Sequence, residues 1–212
     1  MFKYSLVPVL MACSSIACSS ITWANENSTD ILDYDYVYAS AGSGSLNEDA
    51  AANANASIYA LGVSYMMNES WLLLGDYTAR FIHPNDTTAR VDTLMGGVGY
   101  RYNLMQDFDL IASYNLGITK AKVELNSNNT TVSSDTEFIH GGKVALNYGF
   151  AESWIASGSI QVNRSDLIDE EIYQTSLRYL VTDQFAIGGF YAHRDGNTQR
   201  TNELGINFLL EY

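Results

Sequence analysis

The feature that most constrains this chain is an alternation of apolar and polar side chains with period two, sustained over most of the sequence after residue 25. That period belongs to a pleated strand, where successive side chains point to opposite faces. Tyr59, Leu61, Val63 and Tyr65, followed by Trp71, Leu73, Tyr77 and Phe81, fall on one face. Ile58, Ala60, Gly62 and Ser64, then Asp76, Thr78 and Arg80, fall on the other, with Leu72 and Leu74. Helical periodicity is never the better fit for more than a few residues. The chain reads as all-β, with ten strands at roughly 31–42, 56–66, 71–82, 89–103, 108–123, 137–150, 154–164, 170–181, 185–194 and 199–212. An eight-strand register with the first hairpin detached fits the same alternation.

The connections sort into two kinds. Four are tight and share one shape, a Tyr, five residues, then Trp or Phe: Tyr65–Trp71, Tyr102–Phe108, Tyr148–Trp154 and Tyr179–Phe185. The other five, Ser43–Asn55, His83–Thr88, Glu124–Thr136, Ser165–Asp169 and Asp195–Thr198, are richer in Asn, Asp, Ser and Thr and mostly longer. In an up-and-down antiparallel barrel, alternate connections lie at opposite ends, so each kind collects at one end. Short turns at one rim and longer loops at the other are the pattern of outer-membrane barrels.

Alternation alone does not distinguish a soluble sheet, apolar inside, from a membrane barrel, apolar outside and polar within. Three features favour the membrane barrel. The paired aromatics Tyr65/Trp71, Tyr102/Phe108, Tyr148/Trp154 and Tyr179/Phe185 form a girdle at the short-turn end, where amphipathic rings favour a lipid–water boundary. The opposite face carries charges of both signs, including Asp76, Arg80, Arg101, Asp109, Glu137, Lys143, Arg178 and Arg194, with Asp33, Asp35, Glu203 and Glu211. Enclosed in a lumen, such charges must pair. Finally, the chain ends in GINFLLEY, which puts Ile206, Phe208, Leu210 and Tyr212 on one face.

This combination resembles the small outer-membrane β-barrel proteins of Gram-negative bacteria, the porin-family or opacity-like barrels. The segments that carry the resemblance are YDYVYASAGSG, YALGVSYMMNESWLLLGDY, MGGVGYRYNLMQDFDLIASYNLG and the terminal GINFLLEY. The family usually ends in Phe, so Tyr212 departs from it. The resemblance implies an outer-membrane location, contact with membrane lipid and lipopolysaccharide, and recognition of Phe208, Leu210 and Tyr212 by the barrel-assembly machinery. It supplies no catalytic residues.

The N-terminus fits a secretory signal peptide over 1–24. Lys3 precedes an apolar stretch from about Tyr4 to Ala17, with cleavage after Ala24 or after Ala17. Both cysteines, Cys13 and Cys18, lie in this segment, so residues 25–212 form the barrel without a thiol. Acidic residues outnumber basic ones, 24 to 11, which argues against nucleic acid as a partner.

Little in the sequence suggests catalysis or metal binding. His83, His140 and His193 lie near the outer ends of different strands without a Ser nucleophile at a telling spacing. Three scattered histidines and no mature cysteine give no metal-ligand cluster, and no cofactor is implied. Asn47-Glu48-Asp49 is an acidic loop that could meet a divalent cation or lipopolysaccharide. Ten strands lie near the filled end of the barrel range, because open channels need about 16. The expectation is a non-enzymatic barrel with a structural or surface-interaction role and at most narrow permeability. The alternatives are a small porin-like channel and a barrel hydrolase.

Overall fold

The computed structural model describes residues 31–46, 55–83, 87–125, 130–196 and 200–212. The signal segment 1–24 with Cys13 and Cys18, and the Asn47-Glu48-Asp49 loop, lie outside the described residues. Ten strands follow in order: β1 (Tyr36–Leu46), β2 (Asn55–Met66), β3 (Trp71–His83), β4 (Thr87–Met105), β5 (Phe108–Leu125), β6 (Thr131–Phe150), β7 (Trp154–Arg164), β8 (Asp169–Thr182), β9 (Phe185–Gly196) and β10 (Arg200–Glu211). Each pairs antiparallel with its chain neighbours, and β1 pairs with β10 to close the barrel. The first hairpin is part of the wall, joined to β10 on one side and β3 on the other. The detached-hairpin, eight-strand register is thereby ruled out.

The short turns owe their shape to local chemistry. In the Met67–Ser70 connection, the Asn68 side-chain oxygen accepts the backbone N–H groups of Ser70 and Trp71, each at 3.0 Å. This is an Asx turn, in which the side chain supplies the acceptor that the backbone would otherwise lack. Asp107 has φ of 55°, and Ala151 and Glu152 follow one another at 52° and 58°. Consecutive left-handed residues are the geometry of primed hairpin turns, whose twist matches that of the flanking strands.

The strands differ from expectation in two places. The first begins at Tyr36, not at residue 31, and runs on to Leu46. Residues 31–35 leave the wall and enter the short-turn mouth, where Leu32 and Tyr34 are buried. Their alternation matched a strand because alternate residues do face inward, but into the lumen from its mouth. The second difference is the Glu124–Thr136 connection. Strand β5 continues to Leu125 and β6 starts at Thr131, with the Leu125 N–H donating to the Thr130 carbonyl at 3.1 Å. Polar composition had suggested a loop, but β4, β5 and β6 extend past the apolar belt as a ribbon, where residues 131–136, polar but for Val132, are exposed on both faces.

The barrel is inverted relative to a soluble one. Leu61, Ile118, Phe138 and Leu204 are among its most exposed residues, whereas Arg80, Arg194, Glu203 and Glu170 are buried inside. On β5 the outward face is uncharged from Phe108 to Ile118 and turns to Lys120. Ten steps at about 3.3 Å each, tilted by about 40°, cover roughly 25 Å, the height of a transmembrane barrel's apolar band.

Candidate functional site

The lumen is the region where this chain concentrates its chemistry, and it has three levels. At the short-turn mouth, residues 31–35 form a plug. The Tyr34 hydroxyl donates to Asp109 Oδ2 at 2.8 Å, and the Arg101 guanidinium lies over the Tyr34 ring at 5.0 Å. Arg101 Nε also donates to Asp109 Oδ2 at 2.7 Å, and Asn103 Nδ2 to Oδ1 at 3.0 Å. The Ile31 N–H is held by Asp107 Oδ1 at 3.0 Å, and the Met66 N–H by Asp35 Oδ1 at 2.5 Å. Partial burial raises the Asp33 carboxyl above its usual range, opposed by the backbone N–H groups of Asp35 and Tyr34. Leu32, Tyr34, Tyr36 and Tyr38 pack with Leu72, Ile111, Ile155 and Leu209 into an apolar cluster inside the barrel.

At mid-height, Tyr38 donates its hydroxyl to Asp76, and its ring lies against Gly62. Tyr38, Gly62 and Asp76 stand in one row on β1, β2 and β3; a β-carbon at Gly62 would collide with the ring, so the glycine is what lets the tyrosine lie along the inner wall and reach Asp76. Asp76 and Lys143 line one small cavity with Ser113, Asn115 and Gln161. Its volume is about 30 Å³, room for roughly one water molecule.

Above this lies a buried ion network. Glu203 accepts from Arg80 Nη2 at 2.6 Å and from Arg194 Nε at 3.1 Å, while Arg194 Nη1 donates to Glu170 at 2.9 Å. All four side chains are fully buried. Thr201 donates to Glu203 at 3.1 Å, and Asn163 donates to Glu170 at 2.9 Å. Ile168, on the connection before β8, is also fully buried and packs with Val91, Met95 and Ile139.

These positions re-pair the residues singled out from the sequence. Arg101 does face Asp109. Arg80 faces Glu203, not Asp76, and Arg178 donates to Ser157 at 3.0 Å. Glu137 lies half-buried near the outer mouth, on the ribbon and apart from the ion network. Glu170 was missed, although it shares parity with Ile172, Gln174, Ser176 and Arg178 on β8, and extending that parity by one step would have found it.

All eight girdle aromatics sit on the outer wall at the short-turn end, but their cross-strand ring contacts run between hairpins and not across the short turns. Phe108 packs against Tyr148 at 5.8 Å, Trp154 against Tyr179 at 5.0 Å, Trp71 against Tyr100 at 5.2 Å and Phe185 against Phe208 at 6.4 Å. The strand register explains this. Tyr65 is paired with Leu73 within its own hairpin, which leaves Trp71 opposite Tyr100 on the next strand. Phe208, Leu210 and Tyr212 also face outward, and the Tyr212 hydroxyl donates to the Ser64 carbonyl at 3.2 Å.

The three histidines lie on β3, β6 and β9. Their hydrogen-bond partners are Thr88, Tyr114 and Asn202, at 3.2, 3.1 and 2.9 Å. Among the described residues, no group of His, Cys, Asp and Glu could hold a metal ion.

No protein-family description matches this chain, and neither does any curated protein. Solved structures do match. The β-domain of the Bordetella autotransporter BrkA is 9% identical, with a TM-score of 0.50, and the match covers 85% of this chain and 100% of that one. Neisserial surface protein A is 15% identical with a TM-score of 0.48, over 84% of this chain and 96% of its own. Ail of Yersinia pestis is 14% identical with a TM-score of 0.40, over 84% and 97%. At such identities the likeness is one of fold, and this chain is a closed, ten-stranded antiparallel barrel of the outer-membrane type.

Proposed function

We propose that this is an integral outer-membrane protein, exported by its 1–24 segment, with a non-enzymatic, structural or surface-interaction role. Its short turns and both termini face the periplasm, and its longer loops face outward. The observation that carries this reading is the pairing of an apolar exterior with a lumen filled by side chains at three levels. The 31–35 plug, the Tyr38–Asp76 contact and the Arg80–Glu203–Arg194–Glu170 network occupy three successive levels, and the cavity beside Asp76 and Lys143 holds about 30 Å³. A hydrated ion moving along the axis would have to break buried, charge-assisted bonds. Lipid and lipopolysaccharide meet the outer wall, and the assembly machinery reads Phe208, Leu210 and Tyr212.

Planar-bilayer recording tests the closed lumen: the expected trace has no steps comparable to those of a general porin, and large steady steps would favour the channel reading. Fractionation with a heat-modifiability gel tests the location. A folded barrel in the outer-membrane fraction should resist SDS until boiled, whereas release with the periplasmic fraction would overturn the proposal. The surface-interaction version is favoured by the β4–β6 ribbon, which extends beyond the belt with residues 131–136 exposed on both faces. Replacing that ribbon should abolish adhesion to a surface partner and leave assembly intact; unchanged adhesion would remove the ribbon from consideration.

A further inference from the structure

The outer wall carries a second ordered feature, at the opposite end from the aromatic girdle. Three strands present it in register. Leu94, Ile118 and Phe138 form a row across β4, β5 and β6, and each is more than half exposed. One step beyond it, away from the short turns, stand Asp92, Lys120 and Thr136, and one step further stand Arg90, Lys122 and Ser134. Three cations, two hydroxyls and one carboxylate therefore lie on the lipid-facing side of the wall, just above the last apolar row.

The local charges set this sector apart in a chain of net charge −13. Arg90 and Asp92 pair at 2.8 Å, Tyr77 donates to the same carboxylate at 2.6 Å, and the Arg90 guanidinium rests over Phe81 at 5.2 Å. Lys122 pairs with Glu124 at 2.5 Å. Lys120 makes no ion pair among the described residues and is exposed. Elsewhere on this rim, Arg164 is flanked by Asp169 and Glu171, and Arg200 is bound to Asp195, so acids match or exceed cations there. Only between β4 and β6 do outward-facing cations outnumber acids among the described rim residues.

We propose that Arg90, Lys120 and Lys122, with Ser134 and Thr136, bind the phosphorylated headgroup of an outer-leaflet lipid whose acyl chains lie on Leu94, Ile118 and Phe138. This rests on the outer-membrane reading above and adds a specific site to it. The chemistry calls for an anion, since Lys and Arg beside hydroxyl donors match phosphate oxygens. Its placement calls for a lipid, because the site continues directly into an apolar row at the height where the band ends. A near-surface cation contributes about fivefold in affinity for anionic lipid, so losing both lysines should weaken binding by about 30-fold.

The test uses the full mature chain, refolded in detergent and checked by heat modifiability. Native mass spectrometry then measures retention of phosphatidic acid against phosphatidylcholine, with inorganic phosphate as a separate competitor. The unmodified protein should retain phosphatidic acid selectively. K120Q/K122Q should lose that selectivity by about 30-fold, while R164Q/R200Q, altered elsewhere on the rim, should keep it. Equal retention by K120Q/K122Q overturns the site and leaves the barrel reading standing. Displacement by millimolar inorganic phosphate alone overturns the lipid assignment in favour of a soluble anion. Failure of the unmodified protein to show a heat-resistant folded band would instead overturn the outer-membrane reading on which the site depends.

Discussion

Replacing Glu203 with Ala is the sharpest test of a closed lumen. The carboxylate accepts from Arg80 Nη2 at 2.6 Å, Arg194 Nε at 3.1 Å, Arg194 Nη2 at 3.3 Å and Thr201 Oγ1 at 3.1 Å. Arg194 retains Glu170 at 2.9 Å after the change, so most of the penalty falls on Arg80, a fully buried guanidinium 2.6 Å from the lost carboxylate. Breaking a buried pair by removing one partner costs about 3–5 kcal/mol, because the remaining charge stays out of water. At 1.4 kcal/mol per decade, that lowers the folding equilibrium by two to four orders of magnitude, roughly. Urea titration in lipid vesicles, followed by the fluorescence of Trp71 and Trp154, reads this out directly. The double replacement R80M/E203L supplies the control, since removing both charges for apolar groups of similar bulk is often neutral or stabilising. It should therefore cost less than E203A alone. If E203A costs under about 1 kcal/mol, the pair behaves as an exposed one. Water would then have to fill this level of the barrel, and the reasoning for a closed lumen would fail.

Three further outcomes are expected. Gly62→Ala drives a methyl group into the Tyr38 ring and should cost about 1–3 kcal/mol by overpacking; pairing it with Tyr38→Ala should relieve the clash, and an unchanged urea midpoint in the single variant would argue against the packing of Tyr38 over Gly62. Tyr34→Phe removes one donor from buried Asp109, which keeps Arg101 and Asn103, so the loss should be about 1–2 kcal/mol in the same titration, and no loss would mean the plug is not docked. Trp71 and Trp154 sit at the short-turn end of the outer wall, so brominated lipids should quench both most strongly when the bromine lies near the headgroups. Stronger quenching from mid-chain bromine would displace the girdle from the interface.

Strand count, hairpin order and face parity were legible in the sequence because each is a local property. Period two places a side chain on a face whatever lies opposite, and Asn68 closes its turn with acceptors supplied within the turn itself. Partner choice was not legible, because it depends on shear, the accumulated offset between strands. Trp71 looked like the partner of Tyr65 across the turn, yet register sets it opposite Tyr100. Face parity put Arg80 among the lumen charges without naming its counter-charge, and its carboxylate comes from the last strand, at Glu203. The plug was illegible for a related reason. Residues 31–35 alternate as a strand does, and only the placement of Asp107, Asp109 and Asn147 at the mouth makes the lumen their better environment.

The inversion of the barrel also bears on where its function resides. Lipid outside demands apolar outward faces, so polar residues can be used only in the lumen or at the rims. With ten strands the lumen is too narrow to hydrate a row of charges, and each charge must find a counter-charge within reach. Arg194 meets this with Glu203 on β10 and Glu170 on β8, drawing together strands on either side of β9. The same bonds that hold the wall closed thus remove those residues from any exchange with solutes. What remains available to a partner is the rim, and there the mixed charges of β7–β10 pair with one another while Lys120 does not. The acid across from Lys120 is Asp92, and that carboxylate is already held by Arg90 at 2.8 Å; Lys120 is thus the cation left over at the edge of the apolar band, which is why the β4–β6 sector is where this barrel should engage its surroundings.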